Sequence, residues 1–277
     1  MVAACVGIFL IFGLISYEPK SLSDYLLDMR TGGAARRWHA AFELSKKLAR
    51  QRGLSHPDEA QGASAGTGRK EPGAVDEAFV KSLLELYEKS KHDDPRLRQY
   101  LALSLGYVEG AGVREILVES LSDPDPVVRF YAVWSLAVQR DTGSVPRLLD
   151  MLKLEDPELR KVIVYSLGVL GDARAIAPLK EELNDPEVDI QWNAALALAR
   201  FQDTAGAGTI LKMLDRSYLK TASNMNERQT EQVMINAVRA AALLKDTTLK
   251  GRLVELSKQD PNVKVRQAVF EALKGMN

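Results

Sequence analysis

The sequence predicts an all-α protein: a right-handed α-solenoid of antiparallel helix pairs, preceded by an N-terminal hydrophobic helix. Three observations support this fold class. One pattern recurs at a fixed step, apolar residues follow helical spacing inside each copy, and acidic-Pro pairs open the copies. A period of about 20–50 residues is the signature of a repeat architecture. Each unit of a solenoid contacts only its neighbours, so the number of domains cannot be inferred from the chain length.

The repeated pattern starts at a column of residues that stand 31 positions apart: Arg98, Arg129, Arg160 and Gln191. Apolar residues follow three and seven positions after each member, which places them on one face of a helix. Further apolar residues nineteen and twenty-three positions after each member predict a second helix. Neither helix can bury its apolar face alone, so stacked units must share one continuous core.

Most units open with an acidic residue and proline. We predict that the carboxylate caps the first helix and that proline occupies its first turn. The pairs are Asp94-Pro95, Asp123-Pro124, Asp156-Pro157, Asp185-Pro186 and Asp260-Pro261. After Gln191 the next match to the column is Met234, a step of 43 residues, which predicts an inter-repeat insertion at 217–230. One more unit follows at the end of the sequence, and its first helix has Arg266 in the column.

We predict three segments along the chain. Residues 1–17 form a transmembrane anchor, 18–33 form a short juxtamembrane helix, and 34–277 form the solenoid. Within the first repeat, residues 53–74 are rich in Gly, Ser, Ala, Pro and charge. Such a composition buries too little apolar surface to offset the entropy of ordering, so we predict a flexible loop there.

Residues 1–16 are almost wholly apolar, and Tyr17-Glu18-Pro19-Lys20 follows as a polar stop. A bilayer span takes about 20 apolar residues and tolerates about 17, which favours an uncleaved single-pass anchor. A signal peptide would need a basic start and a cleavage site, and neither is found. A cleaved signal peptide, a buried helix and a lipoprotein box at Val2-Ala3-Ala4-Cys5 stay open as alternatives. The Lys and Arg residues after the run favour a cytoplasmic solenoid.

Units that open with D-P-x-V-R-x-x-A and close as in 172–179 (DARAIAPL) resemble HEAT repeats. The 31-residue length is similar to the short HEAT-like class first associated with phycobilin lyases. The resemblance covers about 34–277 and implies a scaffold shared by many functions. The chain also resembles bacterial membrane-anchored HEAT-repeat proteins. The features that carry this resemblance are the apolar N-terminus, the Ser-Tyr-Glu-Pro sequence that follows it at 16–19, and Arg36-Arg37-Trp38 in the first repeat.

In HEAT proteins the recurring Arg and Asp residues form a ladder between neighbouring units. The resemblance implies the same structural role here for Arg98, Arg129, Arg160 and Arg266 with Asp141, Asp172, Asp203 and Asp246. Gln191 and Met234 depart from the Arg column, so the ladder is expected to be interrupted around the insertion.

The sequence offers no convincing catalytic set. Lys+Arg and Asp+Glu balance at 37 each, so the chain has no net positive charge that would favour binding to nucleic acid. Cys5 is the only cysteine, which excludes disulfides and Cys-based zinc sites. His39, His56 and His92 lack a second ligand at zinc spacing, and no His-Glu pair of HEAT-type di-iron hydroxylases is present. A G-x-S-x-G match at 62–66 lies in the low-complexity loop. We predict no cofactor and no metal.

Aromatic side chains recur two and five positions after the Arg column, away from the apolar face. They are Tyr100, Tyr131, Trp134 and Tyr165, with Trp192 beside them. If they are exposed, they form a ridge suited to a protein partner, because aromatic residues are favoured interface anchors. The alternative is that they pack between adjacent units.

The leading functional hypothesis is a non-catalytic, membrane-anchored scaffold that holds a protein partner near the bilayer. The alternative is a lyase or chaperone for a bilin or another tetrapyrrole, as the resemblance to phycobilin-lyase repeats implies. A nucleic-acid binder is disfavoured, because the second helices carry charges of both signs rather than one basic face.

Overall fold

The computed structural model describes residues 20–54, 56–57, 75–153, 156–223 and 225–276. All regular elements within these ranges are helical. The α-helices are α1 (Leu22–Thr31), α2 (Ala34–Gln51), α3 (Glu77–Ser90), α4 (Pro95–Leu105), α5 (Val113–Ser120), α6 (Pro126–Val138), α7 (Val145–Met151), α8 (Pro157–Leu170), α9 (Ile176–Glu181), α10 (Val188–Arg200), α11 (Ala207–Met213), α12 (Arg216–Ala222), α13 (Glu227–Leu244), α14 (Thr247–Gln259) and α15 (Val263–Gly275).

The helices form two layers, as expected for an α-solenoid. The first-helix layer is a row in which each member packs against the next: α2, α4, α6, α8, α10, α13 and α15. The second-helix layer holds α3, α5, α7, α9, α11 and α14, each packed against a first helix. Helix α1 packs on α2 and α3 at the N-terminal side. Helix α12 lies between α11 and α13 and, apart from its first residue, falls within the predicted insertion.

Acidic-Pro pairs begin two of the first helices in the predicted way. Asp94 and Asp156 are the N-cap residues of α4 and α8, and a proline follows each at the first helical position. Each carboxylate accepts a hydrogen bond from the backbone N–H two residues later, at 3.0 Å in both cases. The caps satisfy donors that the first turn leaves free.

Three other acidic-Pro pairs do not cap a helix, contrary to the prediction. Helices α6, α10 and α15 begin further along the chain, after the N-cap residues Asp125, Glu187 and Asn262. The carboxylates of Asp123, Asp185 and Asp260 therefore stand outside the helix start. They become available to side chains of a neighbouring unit.

Neighbouring first helices approach each other closely at glycine. A Cβ atom on Gly168 of α8 would lie 2.6 Å from Cβ and 2.8 Å from Cα of Ala197 on α10. A Cβ atom on Gly106, which follows α4, would lie 2.6 Å from Cβ of Ser135 on α6. Ser135 Oγ donates a hydrogen bond of 3.0 Å to the Ala102 carbonyl at the same contact. Small residues thus set the spacing of the layer.

The buried core consists of two clusters that meet on α10. Ala194 and Leu198 belong to the cluster that extends back to α1, and both are fully buried. Trp192, Ala195 and Ala199 belong to the cluster that extends forward to α15. Helix α10 therefore contributes one face to each cluster.

The structure corrects the predicted location at a membrane. Within the residues that it describes, no helix is both long enough and apolar enough to cross a bilayer. Residues 1–17, on which that prediction rested, lie outside the described ranges, as does most of the predicted loop at 53–74.

Buried Tyr87 makes a testable contribution to stability at alkaline pH. Its ring is 1% exposed, and its Oη lies 2.7 Å from Oγ of Ser120. Burial raises the pKa of Tyr87 from 10.0 to about 12. Because the folded pKa lies above the unfolded one, this contribution is complete below pH 10 and is lost as pH rises to about 12.

The free energy of unfolding of the wild type should therefore fall by about 2–3 kcal/mol between those two pH values because of Tyr87. We expect Tyr87→Phe to lack this part of the pH dependence. Urea unfolding of both proteins at a series of pH values measures it. Lysine titration affects both chains alike, so the difference between them isolates Tyr87. Parallel stability curves in this range would contradict the assignment.

Candidate partner-binding surface

A row of aromatic side chains runs along the first-helix layer from α2 to α8. This aromatic band consists of Trp38, Phe42, Tyr100, Tyr131, Trp134 and Tyr165. At its N-terminal end, the Tyr100 ring centroid lies 5.1 Å from that of Phe42 and 6.4 Å from that of Trp38. It lies 5.8 Å from the Tyr131 centroid on the next first helix. The band thus bridges three consecutive units.

The other end of the band is a stack that finishes with a cation. The rings of Trp134 and Tyr165 are nearly parallel, at 11° and 5.6 Å between centroids. The guanidinium carbon of Arg200 lies 5.5 Å from the Tyr165 centroid. Offset stacking and cation–π contact of this kind are each worth about 0.5–1.5 kcal/mol. The stack therefore links α6, α8 and α10.

Burial separates the predicted ridge into two groups. Tyr131, Trp134 and Trp192 are 4%, 7% and 5% exposed, so they pack between neighbouring units. Tyr100 and Tyr165 are half-buried and still reach solvent. Of the predicted ridge, only Tyr100 and Tyr165 are thus partly exposed, and the alternative of packing between units describes the other three residues.

Two exposed arginines lie on the first-helix layer, Arg200 at the end of the band and Arg239 on α13. Arg200 and Arg239 are both exposed, and no carboxylate within the described ranges lies within ion-pair distance of either guanidinium. Arg239 occupies on α13 the register position that Trp134 and Tyr165 occupy on their helices. This end of the first-helix layer therefore presents positive charge beside a half-exposed aromatic ring.

The Arg column does join neighbouring units, through the acidic residues that fail to cap helices. Arg98 Nε and Nη2 donate to the two carboxylate oxygens of Asp123 at 2.7 and 3.1 Å. Arg160 Nη2 lies 3.1 Å from a carboxylate oxygen of Asp185. Both pairs are nearly excluded from water. The hydrogen bonds to Asp123 raise the pKa of Arg98 above its usual value.

Members of the column also bind the backbone of their own unit. Arg129, Gln191 and Arg266 each donate to the carbonyl oxygen six residues earlier, at 2.8, 2.7 and 2.6 Å. Gln191 therefore keeps one function of the arginine that it replaces, since an amide N–H can make this bond as well as a guanidinium can.

The implied pairing of the Arg column with Asp141, Asp172, Asp203 and Asp246 is not what the structure contains. Those carboxylates stand twelve residues after the column, near the far end of the first helix, about 18 Å away at 1.5 Å per residue. An arginine in the first turn cannot reach them. They instead pair with Arg114, Arg174 and Lys180 at 3.0, 2.6 and 2.7 Å, and Asp246 caps α14.

Arg216, just before the predicted insertion at 217–230, supplies the arginine that the column lacks at Met234. Arg216, the first residue of α12, donates through Nε and Nη2 to the two carboxylate oxygens of Asp260 at 2.8 and 2.9 Å. Its Nη1 donates to Glu227 at 2.8 Å. The Asp260 side chain is 1% exposed, so Arg216 neutralises an otherwise buried charge.

A cleft of about 800 Å³ lies between α1 and α2. Its lining carries charges of both signs, and two of its residues, Lys20 and Asp28, are already paired at 2.7 Å. Small-molecule sites are mostly apolar with a few convergent polar groups. Six of the ten residues that line this cleft carry a charge, which is more than the few polar groups of such a site.

The histidines do not assemble a catalytic or metal site in the described part of the chain. His56 is buried, with Nε2 2.9 Å from Oγ of Ser45, and its ring meets Phe42 edge-on. His39 stacks on Phe42 at 6.2 Å. Across the described ranges, no group of three or more His, Cys, Asp or Glu side chains could hold a metal ion.

Phe42, Arg200 and Arg216 were not identified from the sequence as parts of this surface and its contacts. Only Phe42 could have been found from its position relative to the Arg column. Arg37, with Ala40 three and Leu44 seven positions later, is the column member of α2. Phe42 stands five residues after Arg37, so it occupies the same position as Trp134 and Tyr165. Arg200 stands one helical turn beyond that position, where no aromatic pattern marks it. Arg216 lies outside the repeat column, and no spacing rule connects it with Asp260.

The family model of HEAT repeats matches residues 80–158 and 145–226, together just over half of the chain. A structure of the complex of CpcE and CpcF of phycocyanin lyase from Nostoc sp. PCC7120 is similar in fold. It has 16% sequence identity and a TM-score of 0.57, with 95% of this chain and 97% of that chain covered.

The YibA protein of Escherichia coli is a second similar structure. It has 14% identity and a TM-score of 0.51, with 92% of this chain and 93% of that chain covered. At these identities the likeness extends to the fold alone. No curated protein matches the sequence.

Proposed function

We propose, from the premise that this chain belongs to the HEAT-repeat family, that it is a non-catalytic scaffold which binds a protein partner through its first-helix layer. The supporting observation is the end of the aromatic band. There a half-exposed Tyr165 is covered by Arg200, a cation with no carboxylate partner among the described residues. Tyr and Arg are enriched among the residues that dominate binding energy at interfaces.

The charge of this surface indicates the chemistry of the partner. Arg200 and Arg239 offer guanidinium groups that can take carboxylates in a bidentate manner. The neighbouring ring of Tyr165 offers apolar contact. A partner segment that carries both acidic and apolar side chains would complement this surface, and the opposite charges would also speed association.

The test starts from the full chain used as bait in extracts of the source cells. A stoichiometric partner is then purified, and its dissociation constant is measured with the wild type and with Arg200→Ser. We expect binding to weaken about tenfold, equivalent to about 1.4 kcal/mol. Tyr165→Leu, which keeps apolar bulk at the site, should weaken binding in the same direction.

Arg174→Ser is the matched control, because Arg174 is also exposed but already pairs with Asp172 at 2.6 Å. It should leave binding unchanged. Equal affinities for the wild type and Arg200→Ser would reject this surface as the binding site. Failure to recover any stoichiometric partner would count against the scaffold itself.

A chromophore lyase or chaperone is the second candidate. It is supported by the likeness of fold to the phycocyanin lyase structure. Visible absorbance of the purified chain after incubation with a bilin distinguishes the two candidates, since the scaffold predicts none. A coloured, stoichiometric complex would replace the first proposal with the second.

A further inference from the structure

The last helix of the first-helix layer, α15, leaves a face uncovered that every described equivalent buries. Residues four positions after the column lie between consecutive first helices and are fully buried: Ala102, Val133, Val164, Ala195 and Val238. Phe270 holds this position on α15 and is 58% exposed. Val263, one heptad earlier on the same face, is 64% exposed.

The exposure follows from the layer's construction. In each earlier unit the next first helix covers this position, and the close approach at Gly168 and Ala197 is part of that cover. Within the described residues no first helix follows α15. A large aromatic ring therefore occupies a position where the other units hold only alanine or valine.

This face does not suit another repeat unit of the same kind. Eight positions after the column, the residues next to the following helix are small: Gly106, Ala137, Gly168, Ala199 and Ala242. Lys274 occupies this position on α15. A lysine there would hold a following helix further away than the spacing at Gly168 allows. The face therefore differs in shape from the contacts between units.

The charges around Phe270 are self-complementary. Lys274 Nζ lies 4.4 Å from the Phe270 centroid and 3.2 Å from Oε1 of Glu271. Both signs of charge therefore lie beside the exposed ring. An isologous interface requires a patch that fits its own copy across a two-fold axis. An apolar centre with both signs of charge at its rim meets that requirement.

We propose that two copies of this chain associate through α15, with Phe270 and Val263 of one copy against α15 of the other. Glu271 and Lys274 would exchange partners across the two-fold axis. One exposed helix face per copy falls at the low end of interface areas, below about 1,200 Å² in total. The dimer is therefore expected to be weak, with a dissociation constant on the order of 10 μM. The proposal is independent of the partner-binding surface at Tyr165 and Arg200.

Sedimentation equilibrium of the full chain over a range of concentrations tests this interface. We expect the wild type to dimerise and Phe270→Glu to remain monomeric at about tenfold higher concentration. Val254→Glu is the matched control, because Val254 is also exposed, at 38%, but lies on α14. It should dimerise like the wild type. The difference between the two variants excludes association through the apolar residues 1–16, which both retain.

A charge exchange provides a second test. Glu271→Lys or Lys274→Glu alone should weaken the dimer, and the double exchange should restore it. A wild type that is monomeric throughout would overturn the proposal, as would a dimer that Phe270→Glu leaves intact. A monomer that uses Phe270 to bind a different protein would also overturn it.

Discussion

Replacing Arg216 by methionine is expected to lower the free energy of unfolding by roughly 2–4 kcal/mol, because it strands a buried carboxylate. Asp260 is 1% exposed at its side chain, and Arg216 is the cation that binds both of its oxygens. Methionine keeps most of the length and apolar stem of arginine. The loss therefore reports on the charge pair. Urea unfolding at neutral pH measures the change.

A double-mutant cycle separates this pair from general damage to α12. Arg216→Met combined with Asp260→Asn should be less destabilised than the sum of the two single changes, because the amide no longer needs a cation. Arg174→Met, at the exposed pair with Asp172, should change stability little. Additive effects of the two substitutions would mean that Arg216 does not stabilise Asp260.

Gly168→Val is expected to destabilise the chain by about 2–3 kcal/mol, because it forces two first helices apart. Even a Cβ atom at Gly168 would lie 2.8 Å from the Cα of Ala197, a backbone atom that cannot move without its helix. A β-branched side chain adds two further methyl groups at the same contact. Thermal and urea unfolding both measure the effect.

Gly251→Ala is a control for which we expect the opposite effect, an increase in stability. Gly251 lies inside α14, and a Cβ atom added there would have no neighbour within 4 Å. Alanine at this position should stabilise the chain by about 0.5–1 kcal/mol, since it lowers the entropy of the unfolded state and favours helix. A Gly168→Val protein as stable as the wild type would show that the helices are not held at this distance.

The repeat column was sufficient to predict the alternation of first and second helices, because its apolar positions follow a helical period. The acidic-Pro pairs were sufficient to predict the caps at Asp94 and Asp156. The column could not identify the partner of Arg98, which depends on α6 starting after Asp125 rather than after Asp123. A shift of two residues in a helix start changes a capping carboxylate into an inter-unit ligand.

Exposure along the aromatic band was less predictable for a physical reason. Trp134 faces away from the apolar stripe of its own helix, which by itself suggests contact with water. Its burial depends on Tyr165 of the next unit stacking on it at 5.6 Å. That distance depends on how closely the whole helices α6 and α8 approach each other. A pattern within one helix does not contain this information.

The division of the core on α10 has a consequence for partly unfolded chains. If the C-terminal cluster opens alone, α10 keeps its packing through Ala194 and Leu198, and the units before it stay folded. The opposite face of α10 then loses its cover, and Trp192, Ala195 and Ala199 meet water. Such a partly unfolded molecule would expose a newly uncovered apolar surface on units that remain folded. Species of this kind are prone to aggregate, so the C-terminal cluster protects the rest of the chain from self-association under stress.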